Sequence, residues 1–143
     1  MNYEILPYEG TTTLKLGMSS REIQEVIGCE LKRKFKKFED DKYDTERYED
    51  FFVYYKDPGA CEAFEFFHPA KVFFMQKDLL DIPFEEAKAL FVALDNDIKY
   101  NGVGLISLKC GIAIYAPDAA ENPEKKSEGV LVFEKGYYGE LYK

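Results

Sequence analysis

The sequence predicts an α+β fold: an antiparallel sheet with two short helices packed on one face. Three observations predict it. Two segments combine helical spacing with helix-start chemistry, a series of short aromatic and β-branched runs reads as strands, and the two kinds of element alternate in a repeated order.

The first helix is expected over residues 19–28. Ser19 and Glu22 form an S-x-x-E capping box, in which each side chain satisfies the other residue's free backbone N–H. Met18, Ile23, Val26 and Ile27 make a narrow apolar stripe, and Gly28 stands where a left-handed terminal residue is wanted. A helix this short does not hold in water alone and must pack on a sheet. The second helix is expected over residues 84–94. Pro83 pre-sets its first turn, Glu85 and Glu86 complement the positive end of the dipole, and Phe84, Ala87, Leu90, Phe91 and Leu94 recur at helical spacing.

Residues 51–55 and 61–67, separated by the turn signal Lys56-Asp57-Pro58-Gly59, read as a hairpin. Cys61, Ala63 and Glu65 alternate with Glu62, Phe64 and Phe66 in a half-buried pattern. Residues 72–75 read as a strand and 76–78 as a tight turn. Further strands are expected at 105–108, 111–115 and 130–133, with 117–129 an exposed loop and Gly102-Val103-Gly104 a loop ahead of a strand. Residues 31–38 fit either period, with the strand preferred. The order is one helix followed by antiparallel strands, then a second helix followed by more. One domain over 1–143 is expected, with pseudo-repeats over 11–80 and 81–143.

Composition narrows the class. At 143 residues with 46% hydrophobic and 16% aromatic content, the chain has ample core material without a metal or disulfide. Acidic residues outnumber basic ones 27 to 19, giving a formal net charge of −8. That balance disfavours a general role on nucleic acid or anionic membrane and favours a basic partner or plain solubility. Cys29, Cys61 and Cys110 are odd in number and lack C-x-x-C spacing, so buried thiols are expected rather than a zinc site. The opening residues 1–7 lack a basic region and a long apolar run, and no stretch approaches the roughly 18 apolar residues of a membrane span. The cytoplasm is the expected compartment.

Catalytic chemistry has few candidates. His68, in Phe66-Phe67-His68-Pro69, is the lone histidine, and no local signature pairs it with a cysteine. Neither G-x-x-x-x-G-K nor G-x-G-x-x-G occurs, so no nucleotide cradle and no cofactor is expected. Asp40, Asp44 and Glu46 have a spacing that invites calcium, but the turn glycine and terminal bidentate Glu of an EF-hand are missing.

The densest polar feature is residues 39–50, with seven acidic and two basic residues. It reads as a solvated connection between strands or as a docking loop for a cationic protein. In the second reading Asp40, Asp41, Asp44 and Glu46 steer the partner while Tyr43 and Tyr48 supply rigid contact area. Lys32-Arg33-Lys34-Phe35-Lys36-Lys37 invites a nucleic-acid reading alone. Beside the acidic stretch it reads better as a charged sheet face or a lysine-protected edge strand. The C-terminal 135–143 is expected either to finish the sheet or to present Tyr137, Tyr138 and Tyr142 to a partner.

Residues 13–28, Thr13-Leu14-Lys15-Leu16-Gly17-Met18-Ser19-Ser20-Arg21-Glu22-Ile23 through Ile27-Gly28, resemble the opening of the repeats in β-lactamase-inhibitor-like proteins and the small lipoproteins of outer-membrane assembly. The resemblance implies a helix-then-antiparallel-sheet unit, in tandem in the inhibitor. This chain departs from both groups in lacking an export signal, a lipid-anchor cysteine and paired cysteines, so β-lactamase inhibition does not carry over. The whole chain is similar in style to the immunity proteins of bacterial toxin systems, which bind and neutralise a partner toxin, often a basic nuclease. That implies a non-enzymatic protein with a cognate toxin as partner. Its rivals are an assembly module that recruits a peptide strand at its sheet edge, and a small ligand-binding domain or enzyme built around His68.

Overall fold

A computed structural model describes residues 2–28 and 33–139. The strands are β1 (Asn2–Leu6), β2 (Gly10–Thr11), β3 (Arg33–Phe35), β4 (Thr45–Arg47), β5 (Phe51–Lys56), β6 (Ala60–Phe67), β7 (Lys71–Phe74), β8 (Lys77–Asp78), β9 (Lys99–Tyr100), β10 (Gly104–Ser107), β11 (Ile112–Tyr115) and β12 (Gly129–Phe133). The helices are α1 (Ser20–Ile27), ahead of β3, and α2 (Phe84–Leu94), ahead of β9. The α+β class holds, with sheet predominating.

Eight strands form one antiparallel sheet in the order β3-β4-β5-β6-β12-β11-β10-β9. Each helix is thus followed by a four-strand meander, and the two meanders join through their last strands, where Val130 pairs with Phe66 and Val132 with Phe64. A smaller sheet, β2-β1-β7-β8, stands apart from it.

Local chemistry shapes α1 as read, whereas the start of α2 depends on a distant segment. The Ser19–Glu22 capping box is present in both directions, and Gly28 closes α1 with φ 65°. At α2, Pro83 offers no side-chain cap. The free amides of Phe84 and Glu85 donate instead to the carbonyls of Lys125 and Pro123, each at 2.9 Å, so the exposed 117–129 loop caps this helix.

Strand alternation divides the large sheet into two faces. The pairs Phe51–Phe66, Val53–Phe64, Ile112–Val132 and Ile114–Val130 lie on one. Ile23 and Ile27 of α1, Phe84 and Phe91 of α2, and Tyr3, Ile5, Val72 and Phe74 of the small sheet pack on that face as one core. Phe52, Tyr54, Ala63, Glu65, Leu131 and Phe133 lie on the other.

Three expectations require correction. Residues 76–78 are not a turn: the chain reverses at Met75 and Gln76, both left-handed (φ 52° and 67°), and Lys77–Asp78 is the return strand. The sequence offers no Asn-Gly there to announce the reversal. The N-terminal residues, unassigned from sequence, form β1, which pairs with β7 in parallel and takes β7 out of the first meander. Residues 39–50 are not all loop, because β4 runs through them. The 31–38 segment is a strand at Arg33–Phe35, on the sheet edge, and Leu31 lies outside the described residues. Cys61 and Cys110 are buried free thiols, while Cys29 falls outside the described residues.

Candidate functional site

β4 splits the acidic stretch into two environments. Glu46 and Tyr48 point into the core and leave the candidate surface. Tyr48 has no exposed area and stacks on Phe51 (centroids 4.8 Å apart, planes 10° apart). Glu46 is 6% exposed and accepts hydrogen bonds from Ser20 Oγ (2.6 Å), Tyr55 OH (2.5 Å) and Tyr48 OH (3.4 Å). The alternation of β4 explains this: Glu46 pairs with Val53 on the covered face, and Arg47 pairs with Phe52 on the other. A carboxylate bonded three times beneath α1 ties that helix to the sheet and is not available to a partner.

The other half of the stretch remains at the surface. Asp40 is exposed, and Asp41, Tyr43 and Asp44 are half-buried. Asp41 fastens the loop by accepting from the Phe38 amide at 2.8 Å, while Lys36 Nζ donates to the Asp41 carbonyl. Tyr43 OH donates to Asp57 Oδ1 (2.9 Å), which also pairs with Lys42 Nζ (2.7 Å). The bonds from Lys42 and Tyr43 hold the Asp57 carboxyl below the usual range, and the hydrogen bond to Asp57 raises the Tyr43 phenol against the opposing Lys42 charge.

The C-terminal turn meets this loop. Residues 135–138 are turns, not the last strand. Tyr137 stacks on Phe133 at 5.6 Å and Tyr138 meets the same ring edge-on at 5.1 Å, so both sit over the second face of the sheet. Tyr142 lies outside the described residues. Tyr137 lines a hollow of about 220 Å³ together with Asp41, Tyr43, Glu62 and the exposed Phe38. A neighbouring hollow of about 290 Å³ shares Lys37, Tyr54 and Tyr137, and adds Glu65, Leu131 and Tyr138. Lys37 crosses the rim, its ammonium 4.7 Å from the Tyr54 ring. Burial, the Glu65 carboxylate and the hydrogen bond to it raise the Tyr54 phenol, which donates to Glu65, and burial chiefly raises that of Tyr137. Burial, then the Glu134 carboxylate, raises Glu62.

The structure therefore gathers Asp41, Tyr43, Tyr137 and Tyr138 onto one trough, with Asp40 and Asp44 on the adjoining loop. Lys37, Phe38, Tyr54, Glu62 and Glu65 belong to the same trough and were not singled out from sequence. The alternation of Tyr54 with Val53 carries a signal for one of them. Both hollows are open and smaller than the ~300–1,000 Å³ of ordinary small-molecule pockets. They suit protein side chains.

His68 is exposed, with Nε2 3.1 Å from the Ser127 carbonyl, a contact that anchors the 117–129 loop. Among the described residues no group of three or more His, Cys, Asp or Glu side chains is arranged to hold a metal ion. None of their helices is long and apolar enough to cross a membrane.

Comparison with protein-family models, curated proteins and solved structures finds no match to this chain.

Proposed function

We propose that this chain is a cytoplasmic immunity protein that binds and neutralises a cognate bacterial toxin domain, one with a basic surface such as a nuclease. The observation that carries the reading is the trough. Acidic loop and tyrosine turn, far apart in the sequence, meet on the sheet face that neither helix covers. Asp41, Asp57 and Glu62 supply carboxylates beside Lys37, Lys42 and Lys56, while Phe38, Tyr43 and Tyr137 supply aromatic contact area. The mechanism is steric and electrostatic: the carboxylates compete for the cations that hold the toxin's own substrate, and association is fast and salt-sensitive.

A peptide strand added at a sheet edge is the less favoured reading. The edges of the large sheet are β3 and β9, of three and two residues, and β3 carries Arg33 and Lys34. Short, cationic edges discourage strand addition.

The test is growth rescue. A toxin domain encoded beside this gene should arrest growth when expressed alone and be silenced by co-expression of the chain. A variant combining Asp41→Ala, Tyr43→Ala and Tyr137→Ala should lose that protection while remaining folded. Full protection by the triple variant would remove the site; the absence of any neighbouring toxin silenced by the chain would remove the function.

A further inference from the structure

The open face changes character toward β3. The sequence has three arginines. Arg21 pairs with Glu25 along α1 (3.3 Å), whereas Arg33 and Arg47 are direct cross-strand partners in the β3–β4 ladder. Both are exposed, and among the described residues neither forms an ion pair, although acidic side chains outnumber basic ones in the sequence. Like charges placed opposite each other on a sheet are unfavourable. Glu49 lines the same hollow as the two arginines but pairs with neither, which leaves room there for a further anion.

Aromatic rings hold both groups in place. The Arg33 guanidinium lies 4.8 Å from the Phe35 centroid, and that of Arg47 lies 5.8 Å from Phe52 and 5.2 Å from Phe67. Phe35 meets Phe52 edge-on at 6.2 Å, and Phe52 meets Phe67 at 5.0 Å, so the half-buried rings make a strip from β3 to β6. Cation–π attraction to a ring does not consume a guanidinium's N–H donors, which remain available to a carboxylate or phosphate. Stacking also restricts the side chain before any ligand arrives, which lowers the cost of ordering it.

We propose that Arg33, Arg47 and the Phe35–Phe52–Phe67 strip form an anion subsite that receives a carboxylate side chain from an acidic segment of a protein partner. The inference rests on reading the open face as a protein-docking surface. Charge decides between carboxylate and nucleic-acid phosphate. The same face carries Asp41 and Glu65, and the net charge is −8, so a continuous polyanion is repelled along most of its path. A partner surface with one acidic segment beside basic groups fits both ends.

The test is an NMR titration of the ¹⁵N-labelled full chain, following the Nε–Hε resonances of Arg33 and Arg47. The probes are a short peptide carrying two adjacent glutamates between uncharged residues and, separately, a twelve-residue oligothymidylate. The peptide should shift both resonances, and Arg47→Gln should weaken its binding by about tenfold. Arg47→Lys, which keeps the charge but not the planar fork, should weaken it nearly as much. Unchanged affinity in Arg47→Gln, no shift with peptide, or tighter binding of the oligothymidylate would each overturn the proposal. The Tyr43→Ala/Tyr137→Ala variant should titrate with peptide as the parent chain does. Failure of toxin neutralisation with an intact peptide titration would count against the immunity reading alone.

Discussion

Phe51 and Phe52 are neighbours in one strand, yet they sit in different environments. Phe51 is 1% exposed and packs among Tyr3, Tyr48, Phe64 and Phe66. Phe52 is half-buried, lies against Phe67 and carries the guanidinium of Arg47 on its outer side. The contrast runs across the whole sheet. One face is sealed by α1, α2 and the small sheet; among the described residues the other is roofed where Tyr8, Tyr137 and Tyr138 close over Phe133, Ala63, Ile106 and Ala113. Aromatic content does not distinguish the faces. What distinguishes them is the layer laid over one and withheld from most of the other.

Substituting the two neighbours is the sharpest way to break this comparison. Phe51→Ala should cost about 3–5 kcal/mol in chemical denaturation, the usual price of a large core cavity. Phe52→Ala should cost about 1 kcal/mol, since its site is half open to solvent. Equal losses would mean that both faces are cores. An effect between those two is expected at Asp95, a buried residue at the end of α2. Burial works against its charge, but donation from the Asp97 amide, the Ser107 hydroxyl and the Lys109 amide holds its carboxyl below the ordinary value. Because the folded pKa is the lower one, its stabilisation is complete above the unfolded pKa of about 4 and is lost as pH falls through the folded value. Asp95→Asn should lower stability at pH 7 by about 1–3 kcal/mol and flatten the acid limb of the stability curve. An unchanged acid limb would show that other groups govern it.

On the open face the balance between stability and binding should reverse. Tyr137→Ala should cost about 1 kcal/mol of stability, from its stacking on Phe133, while weakening partner binding at least about tenfold. A large stability loss with unaltered binding would make the tyrosine turn a structural roof only. Smallest of all, Asp40→Ala should leave stability within about 0.5 kcal/mol. Its effect should fall on the association rate, and should vanish in high salt.

Much of the fold was legible because its signals are local. The Ser19–Glu22 box, the spacing of Phe84, Ala87 and Phe91, and the Asp57-Pro58-Gly59 reversal each operate within a few residues. The Met75–Gln76 reversal was missed because neither residue favours the left-handed backbone it adopts there. The site was half legible. Asp41, Tyr43, Tyr137 and Tyr138 meet on the trough, but Glu46 and Tyr48 are drawn into the core by a strand hidden in a run of charges. Charge density pointed outward; pairing with Val53 turned Glu46 inward.

The sequence by itself determined the two helices, the central hairpin and the helix-then-strands order, since capping, periodicity and turn chemistry act between near neighbours. Only the tertiary structure decided that β1 pairs with β7, that β6 and β12 join the two meanders, and which sheet face stays open. Those outcomes depend on groups distant in the chain competing to bury the same apolar surface. A strand with aromatics on both sides, as in Phe51-Phe52-Val53-Tyr54, does not state which side will be covered.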